Sequence, residues 1–473
     1  MLEPTLAAGL PLLNQAGLGA GAETWRRRLA WLEFGGPSDA ASAASDAQRL
    51  GVLVAEGWDY LARMPLRSRR NAAERAGGEV IVRALADATL RFARRHRETT
   101  YRQLTDDLRR PFRVDELLWQ AAERWPGLVP TRAECADEAR RMQKDKDGRE
   151  IAQGMLLSQW LADTRIGRHL ALAMLRPTDE AVQRLDEFVA TGSMDLGAVH
   201  VEARDGCGYL HFRHPRFLNA EDAETLGPQE VAVDLILMHP GLQMGVLRGD
   251  PVAHVKHAGR RVFSAGLNLT RLYHGQIPYL FYMLRDLGLV NKLYRGHTRA
   301  GFDVDGAEDT IEKPWLAVVE SFAIGGGCQL LLVMDSVIAE QGAWLSLPAR
   351  REGIIPGAAN LRLPRYVGEA IARQAIMFDR RFLVDEPIAA ALVSRVYPAA
   401  ELEAAMLEQV RQAVGSGMVS TSGNRKALRV QTEPLERFRE YMALYAREQA
   451  FCHLSGQLID NLERHWQAQQ RLL

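Results

Sequence analysis

The most informative segment of the sequence is ESFAIGGGCQLLLVMDSVIAE, residues 320–340. An apolar strand pattern enters three successive glycines at Gly325–Gly327, a helical pattern begins near Cys328, and a second strand pattern follows Asp335. Glycines let the backbone approach a ligand closely, and the first amides of a helix have no partner within it. Such amides can stabilise an oxyanion, although a lone Gly-Gly-Gly is more often only a tight turn.

Two more glycine turns and one earlier segment, which precedes all three turns in the chain, accompany this stretch. Residues 263–269 read FSAGLNL, residues 354–357 read IIPG, and residues 214–221 read HPRFLNAE. In this order, and with residues 321–328, they resemble motifs of the crotonase (enoyl-CoA hydratase/isomerase) superfamily. The resemblance covers about residues 198–420, which is nearly half of the chain.

The pattern outside the motifs predicts an α/β protein with a helical first half. Residues 1–195 show apolar residues at helical spacing, whereas residues 198–215 alternate as a hairpin and strands then alternate with helices. Residues 260–269 are predicted to form a strand that runs into a glycine turn. The resemblance implies a core built as a spiral of ββα units. We therefore expect three parts: a helical N-terminal domain (1–195), an acyl-CoA-binding core (196–420) and a C-terminal helical segment (421–473).

The resemblance also implies an oxyanion hole made of two backbone amides. These belong to Leu267, which follows the Ala-Gly pair, and to Gly326, the middle glycine of the triplet. Both would hold a thioester carbonyl as it becomes an enolate.

Candidate binding residues surround these turns. Those for the acyl group are Glu221, Arg285, Gln329, Ile355, Pro356 and Gly357, and those for coenzyme A are Arg216, His254, Lys256, Ala265, Gly266, Asn268 and Gln449. Arg285 lies in the helical pattern YLFYMLRDLGLV (279–290), where a surface position is an equal alternative. Most of the basic residues are individually as well explained as solvated surface cations.

Two departures argue against a hydratase. The positions where hydratases carry catalytic glutamates are Gln329 and Ala349 here, and adding water to a double bond needs an acid and a base. The chain also has a long insertion at 270–306 and the additional N-terminal half. This combination resembles the cofactor-independent oxygenases of the superfamily, which implies an aryl-acetyl-CoA substrate, O₂ as co-substrate and no metal, flavin or other cofactor.

Two alternatives of other classes stay open. One is a redox-neutral enzyme of the superfamily, such as a thioesterase, decarboxylase or isomerase. The other is a catalytically silent acyl-CoA-binding protein, which the missing glutamates favour. A redox-neutral enzyme would turn over its substrate without consuming oxygen, unlike an oxygenase. A catalytically silent protein would bind the thioester without consuming it.

The composition of the chain limits the classes of partner and site that it can have. Lys+Arg and Asp+Glu are both 59, so the net charge of zero argues against a nucleic-acid binder. Four dispersed cysteines indicate free thiols, with Cys328 structural rather than nucleophilic, and the histidines form no metal-binding motif. No apolar run is long enough to span a membrane, and the N-terminal charge order is not that of a secretory signal. We expect a cytoplasmic homotrimer or hexamer.

Overall fold

A computed structural model describes residues 11–471, except 36–37, 300, 303, 306–308 and 416–417. The first ten residues of the predicted N-terminal domain, and residues 300, 303 and 306 of the predicted insertion, lie outside this description. The chain forms two compact units. One contains the residues up to Leu170, Leu272–Tyr279 and the residues from Met442 onward, and the other contains Ala171–Arg271 and Leu280–Tyr441. The three-part division stays a prediction.

The helices are distributed along the whole chain. They are α1 (Gly19–Ala30), α2 (Ala40–Ala62), α3 (Ala72–Leu104), α4 (Val114–Arg124), α5 (Arg132–Ala139), α6 (Ile151–Ala162), α7 (Thr164–Ala173), α8 (Asp179–Thr191), α9 (Ala223–Met238), α10 (Leu269–Tyr273), α11 (Tyr279–Leu284), α12 (Val290–Arg295), α13 (Gly326–Leu331), α14 (Ala349–Glu352), α15 (Ala359–Phe378), α16 (Ala399–Val414), α17 (Met418–Thr432), α18 (Leu435–His453) and α19 (Gly456–Trp466).

The first unit is helical, as the sequence predicted for this region. Its longest helix, α3, begins with a capping box in which the Asn71 side chain accepts from the amide of Glu74 and the Glu74 carboxylate accepts from the amide of Asn71, both at 2.9 Å. In the core the rings of Tyr101 on α3 and Trp160 on α6 are 5.6 Å apart. Burial of such large apolar surfaces holds the helices together.

The strands all follow the first unit's main helical stretch. They are β1 (Ser193–Asp195), β2 (Val199–Arg204), β3 (Cys207–Phe212), β4 (Met244–Gly249), β5 (His297–Thr298), β6 (Thr310–Ile311), β7 (Trp315–Val319), β8 (Phe322–Ile324), β9 (Ser336–Glu340), β10 (Trp344–Ser346), β11 (Arg381–Leu383) and β12 (Arg395–Tyr397).

The second unit contains a seven-stranded sheet in the order β1-β2-β3-β4-β7-β9-β12. Strands β1 to β3 are antiparallel, and the pairings from β3 through β12 are parallel. All six residues of β4 are buried, as expected for a parallel strand covered on both faces. Leu402, Met406 and Val410 recur at helical spacing on α16 and pack in one cluster with residues of β3, β4, β7 and β9.

A smaller sheet, in the order β11-β10-β8, carries the glycine triplet directly after β8. The predicted strand at 260–269 is wrong as a regular element. The described residues there pair through three isolated bridges, Pro251 with Arg261, Ser264 with Ala323 and Glu221 with Leu267. They form no regular strand because Gly259 and Gly266 both turn into left-handed conformations (φ +75° and +78°). Among the described residues, no helix is long and apolar enough to cross a membrane.

Candidate active site

Two glycine turns meet at the predicted oxyanion hole. A Cβ atom built on Gly266 would lie 2.5 Å from the carbonyl oxygen of Ile324 and 2.8 Å from the amide nitrogen of Gly326, so the turns touch through their backbones. The amide of Gly266 donates to Ser264 Oγ at 3.0 Å, and that of Gly325 donates to the Ser346 carbonyl at 2.8 Å.

The next amide in each turn belongs to the two predicted donors, Leu267 and Gly326. Within the described part of the chain, no hydrogen bond uses either amide. Leu267 is held by its neighbours, since the Glu221 amide donates to the Gly266 carbonyl at 2.7 Å and the Asn268 amide donates to the Glu221 carbonyl at 2.8 Å. The structure thus brings together two amides that can accept an oxyanion, and their catalytic role stays a prediction.

A buried ion pair lies directly against Gly326. Arg285 Nε donates to both carboxylate oxygens of Glu221 at 3.0 Å, and Arg285 Nη2 donates to the Gly326 carbonyl at 2.8 Å. A Cβ on Gly326 would be only 2.0 Å from Glu221 Oε2. Arg285 is 3% exposed, so the surface alternative is wrong. Its segment is also not one regular helix, because a π-helical turn, Arg285–Leu289, separates α11 from α12.

Gln329, on α13, extends this polar group toward the third glycine turn. Its Oε1 accepts from Arg285 Nη1 at 2.8 Å, whereas its side-chain nitrogen has no hydrogen bond to any residue that the structure describes. A Cβ on Gly357 (φ +46°) would lie 2.4 Å from Gln329 Oε1, so only glycine fits beside this side chain. Gln329 can therefore donate to a polar ligand from a fixed position.

Sequence reasoning missed two carboxyl groups at this site. Asp286 is buried, accepts from the Ala358 amide at 3.0 Å, and thereby holds the Ile355–Gly357 turn in place. Burial raises the pKa of Asp286. Its position directly after Arg285 was the available signal, but helical spacing alone does not show which of two adjacent side chains faces inward.

The second missed carboxyl is Glu352, at the end of α14. It is 4% exposed, and its Oε1 lies 3.5 Å from the point where a Cβ on Gly325 would sit. Burial, together with the negative charge of Asp379, raises the pKa of Glu352 to about 7. Ala349, the position of a hydratase glutamate, is buried one helical turn earlier.

The candidates for coenzyme A are spread over several elements. Arg216 and Lys256 are exposed, and the Lys256 amide donates to His254 Nδ1 at 3.3 Å. The loop around His254 packs near the glycine turns through a cluster in which Val252 and Val262 contact Phe322, with Ala265 and Ile324 against it.

Two other coenzyme A candidates point inward. Asn268 Nδ2 donates to Asp222 at 2.9 Å and its Oδ1 accepts from the Arg271 amide at 3.2 Å, so binding coenzyme A through this side chain would require these bonds to break. Gln449 belongs to the helical unit, where it is fully buried.

The described residues offer little support for a cysteine nucleophile or a metal site. Cys328 is 1% exposed, and burial raises the pKa of its thiol to about 12, so a thiolate nucleophile is disfavoured. His254 and His257 have ring centres 6.0 Å apart. Across the described ranges, no group of three or more His, Cys, Asp or Glu side chains could hold a metal ion.

Comparison with known proteins identifies relatives. The enoyl-CoA hydratase/isomerase family model matches residues 253–455. The chain is 44% identical over 413 residues to (3,5-dihydroxyphenyl)acetyl-CoA 1,2-dioxygenase of Amycolatopsis orientalis, covering 87% of this chain and 92% of that protein. It is 30% identical over 200 residues to carnitinyl-CoA dehydratase of Salmonella typhi, covering 41% of this chain and 71% of that protein.

A solved structure is also among the similar proteins. An enoyl-CoA hydratase from Mycobacterium avium subsp. paratuberculosis K-10 covers 57% of this chain and 98% of its own, at 20% identity and a TM-score of 0.47. The α/β core and the helical N-terminal region that the sequence predicted are both confirmed.

Proposed function

Because this chain belongs to the crotonase (enoyl-CoA hydratase/isomerase) superfamily, we propose that it is a dioxygenase that converts (3,5-dihydroxyphenyl)acetyl-CoA and O₂ to 3,5-dihydroxyphenylglyoxylate and free coenzyme A. The similarity to the Amycolatopsis orientalis dioxygenase along nearly the whole chain supports this choice within the superfamily.

One observation in the site carries the proposal. The free amides of Leu267 and Gly326 lie beside a cluster of polar side chains, formed by Glu221, Arg285 and Gln329. The amides and the side-chain cluster differ in the groups that they can bind. The amides suit a thioester oxygen, and the polar group suits ring hydroxyls that need donors and acceptors. With Gln329 and Ala349 at the hydratase positions, this arrangement favours enolate formation over the addition of water.

The reaction balances without another redox partner. Removal of an α-proton gives an enolate, which the two amides stabilise by about 3–4 kcal/mol per donor. The enolate transfers electrons to O₂, a peroxide forms at the α-carbon, and its distal oxygen attacks the thioester carbonyl. Expulsion of the thiolate and cleavage of the O–O bond leave an α-keto acid. The α-carbon loses four electrons, O₂ gains four, and the two α-hydrogens end on the carboxyl group and the thiol.

The residues around the hole would orient the ring and exclude water. Gln329 would donate to one ring hydroxyl, and the Arg285–Glu221 pair would bind the other. Ile355, Pro356 and Gly357 would form a wall of the acyl pocket. Arg216, His254 and Lys256 would meet the phosphates of coenzyme A. The side chains of Arg216 and Lys256 are exposed, and their positive charges suit phosphate oxygens. We also propose a homotrimer or hexamer that works in the cytoplasm.

Oxygen consumption tests the proposal. Purified protein should consume O₂ with the thioester and continue after exhaustive chelation. With ¹⁸O₂, one labelled atom should appear on the α-carbon and the other in the new carboxylate. A carboxylate oxygen drawn from water would contradict the peroxide route, and activity restored only by added iron or copper would contradict the absence of a cofactor. Thioester turnover under strict anaerobiosis would instead establish a redox-neutral enzyme.

A further inference from the structure

The proposed reaction begins with the loss of an α-proton, and Glu221, Asp286 and Gln329 are not suited to accept it. Glu221 is committed to Arg285 by a bidentate ion pair, and Asp286 accepts from the Ala358 amide. Gln329 does not titrate. A proton acceptor must lie within about 2.6–3.2 Å of the α-carbon's proton in the substrate complex, so it must be a group beside the two amides.

Glu352 is a carboxyl in that position. Its two oxygens lie 3.5 and 3.9 Å from the Cβ point of Gly325, and the same point is 3.9 Å from the Gly266 Cα. Gly325 directly precedes the amide of Gly326. The carboxyl therefore lies at the place where the two oxyanion turns face each other.

Its bonding state sets Glu352 apart from the other buried acids of this unit. In the described part of the chain, no hydrogen bond and no ion pair uses its carboxylate, although the side chain is 4% exposed. By contrast, Glu320 pairs with Arg248 and Glu433 with Arg362. A buried carboxyl without a partner costs stability, and such cost is common where a group must exchange a proton.

We propose that Glu352 is the catalytic base that removes the α-proton of the bound thioester. The carboxylate takes the proton, the electron pair of the C–H bond moves into the enolate, and the enolate oxygen is held by the amides of Leu267 and Gly326. The proton then passes from Glu352 to the departing coenzyme A thiolate. This inference rests on the proposed function only in that a thioester binds at the two amides.

The charged neighbours of Glu352 determine how it responds to pH. Asp379, at the end of α15, faces it and is itself bound by Arg350 and Arg351. Burial and Asp379 raise the pKa of Glu352 to about 7, which places the carboxyl among effective bases at neutral pH. Arg285 and Glu221 lie next to Gly326, the residue that follows Gly325 in the same glycine turn.

Anaerobic hydrogen exchange tests the base without requiring oxygen chemistry. In D₂O without O₂, the native protein should exchange the α-hydrogens of phenylacetyl-CoA for deuterium. Mass spectrometry of the thioester measures this exchange. Glu352→Gln should slow this exchange at least about a hundredfold, the lower range for loss of a general base. It should still bind a non-reactive thioether analogue of the substrate, because Gln keeps the shape of Glu. Glu369→Gln, an exposed change on α15, should leave exchange unchanged.

Asp379→Asn tests the base through the pH profile of exchange, which would not change if Glu352 had only a structural role. Asp379 has a left-handed backbone (φ +60°), which Asn adopts readily, so the fold should persist. Loss of its charge should lower the pKa of Glu352 and move the acidic limb of the exchange-rate profile to lower pH. An unmoved limb would overturn the assignment.

The outcomes separate this inference from the proposed function. Undiminished exchange by Glu352→Gln overturns the base, whether or not O₂ is consumed. Loss of analogue binding along with exchange also overturns it, because Glu352 would then only support the site. Exchange that needs Glu352, in a protein that consumes no O₂, upholds the base and overturns the dioxygenase. No exchange by the native protein overturns the base as well.

Discussion

Substitution of Gly266 by alanine tests the geometry of the oxyanion hole directly. The new Cβ would lie 2.5 Å from the Ile324 carbonyl oxygen and 2.8 Å from the Gly326 nitrogen. Both are backbone atoms that cannot rotate away. The two turns must therefore separate, and with them the amides of Leu267 and Gly326.

The size of the effect follows from two terms. The left-handed backbone at φ +78° costs about 1–2 kcal/mol of stability with a side chain. A displacement of about 1 Å at a reacting centre can cost about a hundredfold in rate, and the complete loss of one oxyanion donor costs about a hundred- to a thousandfold. Gly266→Ala should therefore lower kcat by about a hundredfold or more while the protein stays folded.

Gly342→Ala is the matched control. Gly342 has nearly the same backbone (φ +81°), but nothing lies within 4 Å of its Cβ position. Release of coenzyme A measures turnover, and thermal unfolding measures stability. Both variants should lose the stability that the left-handed backbone costs, Gly266→Ala should lose more because its two turns must separate, and only Gly266→Ala should lose turnover. If Gly266→Ala turns over as fast as Gly342→Ala, the two turns do not form the catalytic hole.

Four further predictions concern the site and the assembly. Gln329→Ala should impair turnover of the dihydroxyphenyl substrate more than that of phenylacetyl-CoA, by about 1–3 kcal/mol, and equal losses would remove Gln329 from hydroxyl binding. Glu221→Ala should destabilise the protein in urea by about 3–5 kcal/mol because Arg285 stays buried without this partner, and an unchanged midpoint would contradict that cost. The pKa of Glu352 is raised in the folded state to about 7, so the folded state binds this proton more tightly than the unfolded state. The free energy of unfolding should therefore fall as the pH rises from about 4.5 to 7. Glu352→Gln should flatten that slope, and an unchanged slope would assign the titration to another group. Light scattering should show a trimer or hexamer, and a lone species of 52.7 kDa would contradict it.

Much of the core was predictable because its signal is local. Gly266, Gly325 and Gly357 all have positive φ, and a residue without a Cβ is required wherever the backbone takes that conformation or approaches another backbone closely. The order and spacing of such glycines can be read without any knowledge of contacts. The predicted strand at 260–269 is wrong because left-handed turns at Gly259 and Gly266 leave too short a segment for a ladder.

The side-chain environment of the site was not predictable from local patterns. Arg285 could equally be a surface residue by its helical spacing, and only its contacts with Glu221 and Gln329, 64 and 44 positions away, show that it is buried and paired. Asn268 belongs to a predicted binding motif, yet its side chain bonds to Asp222, 46 positions earlier.

The amino-acid sequence alone predicted the backbone features of this protein. These are the α/β core, the helical first half and the positions of the two amides, whose donors are main chain and depend only on where glycines stand. The sequence also determined what is missing, since Gln329 and Ala349 replace the hydratase carboxylates. That Glu352 lies unpaired where the two turns meet became visible only in the folded chain, because burial and pairing depend on atoms that folding brings together from distant parts of the sequence.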